Sequence, residues 1–118
     1  MSSPNDPADA VNIEELKEIM DDDMELIREC FTEFVKDWPL LYVQIKGAVM
    51  EKDGQVLDET AHKLKGTLKY LAAEDAANAA LMMESAGRDN DFQEIDTKLD
   101  TLKNECQKVI EYIRGFTP

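Results

Sequence analysis

The chain has 118 residues, 43 % of them hydrophobic and 33 % charged, with a formal net charge of −13. That length holds one domain with one real core, and the negative surface repels a nucleic-acid backbone, which sets aside general DNA or RNA binding. No apolar run approaches the ~20 residues of a membrane span, and the two cysteines, Cys30 and Cys106, have neither zinc-ligand spacing nor a disulfide framework.

Residues 1–10 are polar, contain two prolines and lack the apolar stretch of a secretory signal, so they read as a loose tail before a single domain over 11–118. Asn12-Ile-Glu-Glu15 has the form of a capping box and opens a short helix whose apolar face is Ile13, Leu16 and Met20. Asp22-Asp-Met-Glu25 repeats the device before a longer helix. Its stripe of Ile27, Phe31, Phe34, Trp38, Leu41, Ile45 and Ala48 alternates spacings of four and three. Pro39 lies inside that run and predicts a kink or a break, because proline removes an intrahelical bond. Asp53-Gly54 closes the helix, with Gly54 suited to a left-handed C-terminal cap.

A third helix follows from about Gln55 to Ala72, with Leu57, Ala61, Leu64, Leu68 and Leu71 on its core face. After a turn near Ala73 comes an alanine-rich helix from about Asp75 to Arg88. Asp91-Phe-Gln-Glu94 reads as a third capping box. Behind it run Phe92, Ile95, Leu99, Leu102, Cys106, Val109, Ile113 and Phe116 at the same three-four spacing. Short connections make successive helices antiparallel neighbours. The expected fold is all-α: an up-down antiparallel four-helix bundle with a short additional N-terminal helix across one end. Cys30 and Cys106 fall within its apolar patterns as buried, reduced thiols, which suits the cytoplasm.

His62 is the one histidine. At about 100° per residue it sits roughly 120° from the centre of its helix's core stripe, on or beyond the edge of the core. A histidine there is by default an ordinary surface residue, but three features mark this one. Gly66, one turn on, stands in a helix interior where glycine costs ~1 kcal/mol relative to alanine. Lys63, Lys65 and Lys69 gather cations in a strongly acidic chain. Glu84 is as far after Ala73 as His62 is before it, so an antiparallel hairpin sets the two level. Alanines 76, 77, 79 and 80 permit close approach of the two helices. A carboxylate there could hold one ring nitrogen and leave the other free as a nucleophile.

Ala61-His62-Lys63-Leu64-Lys65-Gly66 resembles the H-x-L-K-G signature of the histidine-containing phosphotransfer (HPt) domain, and Met83-Glu84-Ser85-Ala86-Gly87-Arg88 resembles that family's L-E-x-x-G-R stretch. Phe34-Val35, Trp38-Pro39 and Asp53 are similar to further features of the family, and the likeness extends from about Val11 to near the end. Ala72 departs from it, standing where the family usually has glycine, which bears on the turn rather than on the chemistry. The resemblance implies that His62 accepts a phosphoryl group on Nε2 from a receiver-domain aspartyl phosphate and passes it to another receiver. It implies that Glu84 bonds Nδ1, that Lys65 neutralises phosphate charge, that Gly66 admits the receiver's loop, that Lys63 and Lys69 dock it, and that Arg88 assists phosphate unless it pairs with Asp58 or Glu59.

The implied partners are response-regulator receiver domains and a hybrid sensor histidine kinase. The chain would be a monomeric phosphocarrier with no cofactor of its own, the Mg²⁺ belonging to the receiver. A histidine-kinase dimerisation hairpin fits less well. It usually has an acidic residue directly after the histidine and a proline five residues on, where this chain has Lys63 and Thr67, and no glycine-rich nucleotide segment follows. An autonomous kinase is therefore not expected. A non-catalytic adaptor bundle, with His62 incidental, is the alternative. One histidine and scattered carboxylates supply no metal-ligand set.

Overall fold

A computed structural model describes residues 9–116. It contains five helices: α1 (Ile13–Ile19), α2 (Met24–Glu51), α3 (Gly54–Tyr70), α4 (Glu74–Arg88) and α5 (Ile95–Phe116). The last four form the up-down antiparallel bundle, in which α3 packs most extensively on α4, α4 also on α5, and α2 on both α3 and α5. The predicted stripes fill the core. Ile27, Phe31, Phe34, Trp38, Ile45 and Ala48 of α2, and every stripe residue of α3, are buried, while Leu41 is half-buried. Phe31 meets Tyr112 and Phe116 edge-on, joining α2 to α5.

The described chain meets the bundle just before α1. Ala10 and Val11 are buried, and the Asn12 N–H donates to the Ala72 carbonyl at 2.9 Å, which ties the start of α1 to the α3–α4 turn. The rest of the expected tail, residues 1–8, lies outside the described residues.

Helix starts follow the sequence in part. Asn12 accepts from the Glu15 N–H as anticipated, but α2 is capped by Asp23, which accepts from the Leu26 N–H, one residue later than expected. The third capping box does not form. Asp91 accepts from the Gln93 N–H instead, a two-residue Asx turn. Glu94 has a left-handed φ of 54°, so α5 begins only at Ile95. Pro39 is exposed on α2, and the helix runs through it without a break.

Helix ends share one device that no glycine signals. Asp21, Lys52, Ala72 and Asn90 all have left-handed φ, between 52° and 57°, and no glycine does. In each case the next residue's N–H reaches back to close a Schellman motif, as with Ala73 N–H to Leu68 C=O at 2.9 Å beside Ala72 N–H to Lys69 C=O at 3.0 Å. Gly54 is therefore not the cap of α2. That position is Lys52, while Asp53 caps α3 by accepting from the Val56 N–H, and Gly54 is the first residue of α3.

Gly54 serves the packing of α3 on α4. A Cβ at Gly54 would lie 2.6 Å from the Gly87 carbonyl oxygen, and one at Gly87 would lie 2.5 Å from the Asp58 backbone nitrogen. The two backbones touch there. Further along the same interface Ala76, Ala77 and Ala80 are buried, so small side chains keep the helices close over the length of α4. This close approach positions the site.

Candidate functional site

The α3–α4 interface carries His62 from α3 and Glu84 from α4. Glu84 lies one turn before Gly87, and His62 one turn after Asp58, so the backbone contact at Gly87 fixes the height and spacing of the pair. His62 Nδ1 and Glu84 Oε2 are 2.8 Å apart. The imidazole side chain is 68 % exposed and the carboxylate 7 %. Glu84 is the buried charged residue among those described.

Lys65, one turn after His62, places its ammonium 2.5 Å from the other carboxylate oxygen, Oε1. The contact is an ion pair held by charge and proximity, since Oε1 is sealed from solvent and has no hydrogen bond of ordinary alignment. Lys65 is itself largely covered, with 16 % of its side chain exposed. The pair holds the Glu84 carboxyl below the usual carboxylate range. The Lys65 contact is the largest cause, burial opposes it, and the His62 hydrogen bond adds to it. An ionised carboxylate only accepts hydrogen bonds, so the proton in the 2.8 Å contact belongs to Nδ1. In the neutral ring the lone pair is then on Nε2.

The other residues singled out in the sequence are distributed around this triad. Lys63 and Gly66 line a groove of about 620 Å³ between α2 and α3, with Leu40, Leu41, Thr67 and Tyr70 among its walls. Gly66 is exposed and a Cβ there would meet nothing within 4 Å, so its bare surface faces open space. Lys69 is exposed on the same helix but outside the groove. Arg88 is exposed too, and among the described residues it forms no ion pair with Asp58 or Glu59; Glu59 instead accepts from the Gln55 side-chain amide. Cys106 is buried, and burial pushes its thiol far up. Cys30 is only half-buried and lines the groove, so it is not the core thiol expected.

Sequence reasoning missed the apolar rim of this groove. Leu40 is 67 % exposed and Tyr70 50 %. The available signal was that Leu40 lies off the buried stripe of α2, on a helix whose core face was already complete without it. Among the described residues, no group of three His, Cys, Asp or Glu side chains is gathered as a metal site, and no helix is long and apolar enough to cross a membrane.

The family model described as "Hpt domain" matches residues 13–112. Comparison with curated proteins gives no sequence match. Among solved structures, the chain is similar to histidine-containing phosphotransfer protein B (HptB) from Pseudomonas aeruginosa PAO1, with a TM-score of 0.83 and 19 % identity over 97 % of this chain and 95 % of that one. At that identity the likeness is one of fold.

Proposed function

Since the chain belongs to the Hpt domain family, whose members carry out histidine phosphotransfer in phosphorelays, we propose that His62 is its phosphoryl acceptor and that receiver domains are both its donors and its recipients. The observation that carries this reading is the 2.8 Å contact between Nδ1 and a buried carboxylate on a ring otherwise open to solvent. A free imidazole rotates and populates two neutral tautomers. This one is oriented, and its outward nitrogen carries the lone pair.

In the transfer step the Nε2 lone pair attacks the phosphorus of a receiver's aspartyl phosphate. The Nε2–P bond forms as the P–O bond to the aspartate breaks, and the leaving electron pair returns to the aspartate carboxylate. Nδ1 keeps its proton against Glu84, which stabilises the positive charge that grows on the ring. Phosphoryl transfer is largely positioning and charge stabilisation, and the receiver contributes the Mg²⁺. Passing the group on to another receiver reverses the same bonds.

Gly66 leaves room for the receiver to come close to Nε2. The groove beside it offers apolar contact through Leu40 and Tyr70, with Lys63 as a cation at the same surface. Lys69 and Arg88, exposed and unpaired among the described residues, extend the positive charge that steers an acidic phosphorylated partner. The protein acts in the cytoplasm as a monomer, downstream of a hybrid sensor histidine kinase, and has no kinase activity of its own.

The test is incubation with a panel of labelled, phosphorylated receivers. Label should pass to the parent protein and not to a folded His62→Gln variant, and it should be acid-labile and alkali-stable, as a phosphoramidate is. Labelling that persists in His62→Gln assigns the acceptor elsewhere. A parent that binds receivers but never takes label is an adaptor.

A further inference from the structure

We infer that Glu33 and Asp37 determine which receivers this protein serves, by selecting a receiver that brings a cation to the Tyr70 end of the groove between α2 and α3. This deepens the reading of His62 as the acceptor and rests on it. The charged groups lining the groove are Glu33 and Asp37 from α2 and Lys63 from α3. All three are exposed, and among the described residues none of them forms an ion pair. They are not mixed along the groove. α2 ends at Glu51 and antiparallel α3 begins at Gly54, so residues equally far from that turn lie level. Lys63, directly after His62, comes level with the end lined by Leu40, Leu41 and Gln44, while Tyr70 comes level with the stretch between Glu33 and Asp37. At 1.5 Å per residue the cation and the two carboxylates are roughly 8–14 Å apart along α2.

A phosphorylated receiver is anionic at its reacting centre. That centre has to reach His62, so it meets Lys63 at the same height. Whatever part of the receiver lies at the other end then faces Glu33 and Asp37. Docking on the apolar walls removes water there, and a carboxylate stripped of water without a partner is costly. A lysine or arginine of the receiver at that place compensates the two carboxylates. An aspartate or glutamate there meets like charge, so rejection comes from repulsion as well as from a missing attraction. The chain's net charge of −13 has no such effect, because it disfavours acidic partners alike whatever their pattern. Opposite charges at the two ends of one groove also fix which way round the receiver lies.

Two double reversals that change the net charge equally test this. Glu33→Lys with Asp37→Lys alters the groove, and Asp100→Lys with Glu111→Lys alters the exposed surface of α5. The probe is a phosphorylated receiver that passes label to the parent, and circular dichroism establishes that each variant is folded. The groove reversal should raise the KM of transfer about tenfold or more, the scale of a lost interface charge pair. It should leave kcat within about twofold, since the step that forms the Nε2–P bond is untouched. The α5 reversal should leave both within about twofold. Should the groove reversal fail to fold, Glu33→Gln with Asp37→Asn carries the same comparison with a smaller rise. An equal rise in KM for both reversals, or a loss of kcat at unchanged KM, would overturn the selection.

Complementary exchange is the sharper readout. Chemical-shift mapping on the unphosphorylated receiver finds the basic residue that docks beside Tyr70. Its replacement by glutamate should weaken binding to the parent and restore binding to the groove reversal. A receiver with no basic residue at that place, or an exchange without rescue, would overturn the selection. Titration calorimetry with the unphosphorylated receiver reads binding without transfer. A parent that takes no label, yet binds receivers in a way that needs Glu33 and Asp37, rejects the phosphotransfer reading alone. A parent that binds no receiver rejects both.

Discussion

Alanine at Gly87 separates the packing account from a propensity account, because the two give opposite signs. Glycine in a helix interior costs ~1 kcal/mol relative to alanine, so propensity alone makes Gly87→Ala stabilising. The structure puts the new Cβ 2.5 Å from the Asp58 nitrogen, 2.6 Å from the Gly54 oxygen and 3.1 Å from the Asp58 Cα. Carbon atoms rest against their neighbours at about 3.5–4.0 Å, so α3 and α4 must part by roughly 1 Å. All three obstructing atoms belong to backbone, which no rotamer change can move aside. Overpacking of this kind costs about 1–3 kcal/mol. Taking its upper half against the propensity gain leaves a net loss of about 1–2 kcal/mol, or a fall in Tm of roughly 4–8 °C for a domain of this size.

Gly66→Ala is the control. Its Cβ meets nothing within 4 Å, so there the propensity gain stands alone and Tm should rise by a few degrees. The same parting of helices at Gly87 acts one turn from Glu84 and draws the carboxylate away from Nδ1 toward the ~3.5 Å limit of a hydrogen bond. Transfer should therefore fall even at temperatures where Gly87→Ala is fully folded. Thermal unfolding followed by circular dichroism gives the first result and label transfer at saturating phosphorylated receiver the second. A Gly87→Ala protein as stable as Gly66→Ala would show that the crossing has slack, and the argument for a fixed His62–Glu84 spacing would fail with it.

Gly66→Gln should be at least as stable as the parent, because glutamine is the better helix former on open surface, yet it should transfer slowly because the side chain fills the receiver's approach; normal rates would place the docking surface elsewhere. Lys52→Gly should raise stability by about 0.5–1 kcal/mol, read from the urea midpoint, because Lys52 is exposed and holds a left-handed φ of 53° that glycine adopts without a Cβ penalty; no gain would mean that the cap is relaxed. For Glu84 the folded carboxyl lies below its ordinary value of 4.5, so the native state binds fewer protons than the unfolded state in that window. Its contribution is complete above about pH 4.5 and is lost as the pH falls through the folded value. The stability difference between parent and Glu84→Gln should accordingly shift against the parent on acidification from pH 7 to about pH 3, and a difference independent of pH would contradict the ion pair with Lys65.

The bundle was legible because its apolar residues recur at helical spacing, and the level placement of His62 and Glu84 followed from counting outward from one turn. What escaped the sequence depends on partners distant along the chain or on local backbone choices of similar energy. Gly54 looks like a helix terminator when read beside Asp53, and only the opposite backbone at Gly87 shows why it has no side chain. The C-terminal caps fall on Asp21, Lys52, Ala72 and Asn90, of which only asparagine is a usual left-handed residue. At Asp91 two turns competed for one carboxylate, and the bond to Gln93 won over a cap of α5. The exposure of Leu40 and Tyr70 follows from the groove between α2 and α3, which no single helix displays.

The central claim is that His62 receives the phosphoryl group on the nitrogen that Glu84 leaves free. Phosphorus–nitrogen correlation NMR of the protein phosphorylated by a receiver reads this directly. It should place phosphorus on Nε2 of His62 with the proton still on Nδ1. Phosphorus found on Nδ1, or on any other residue, would contradict the account.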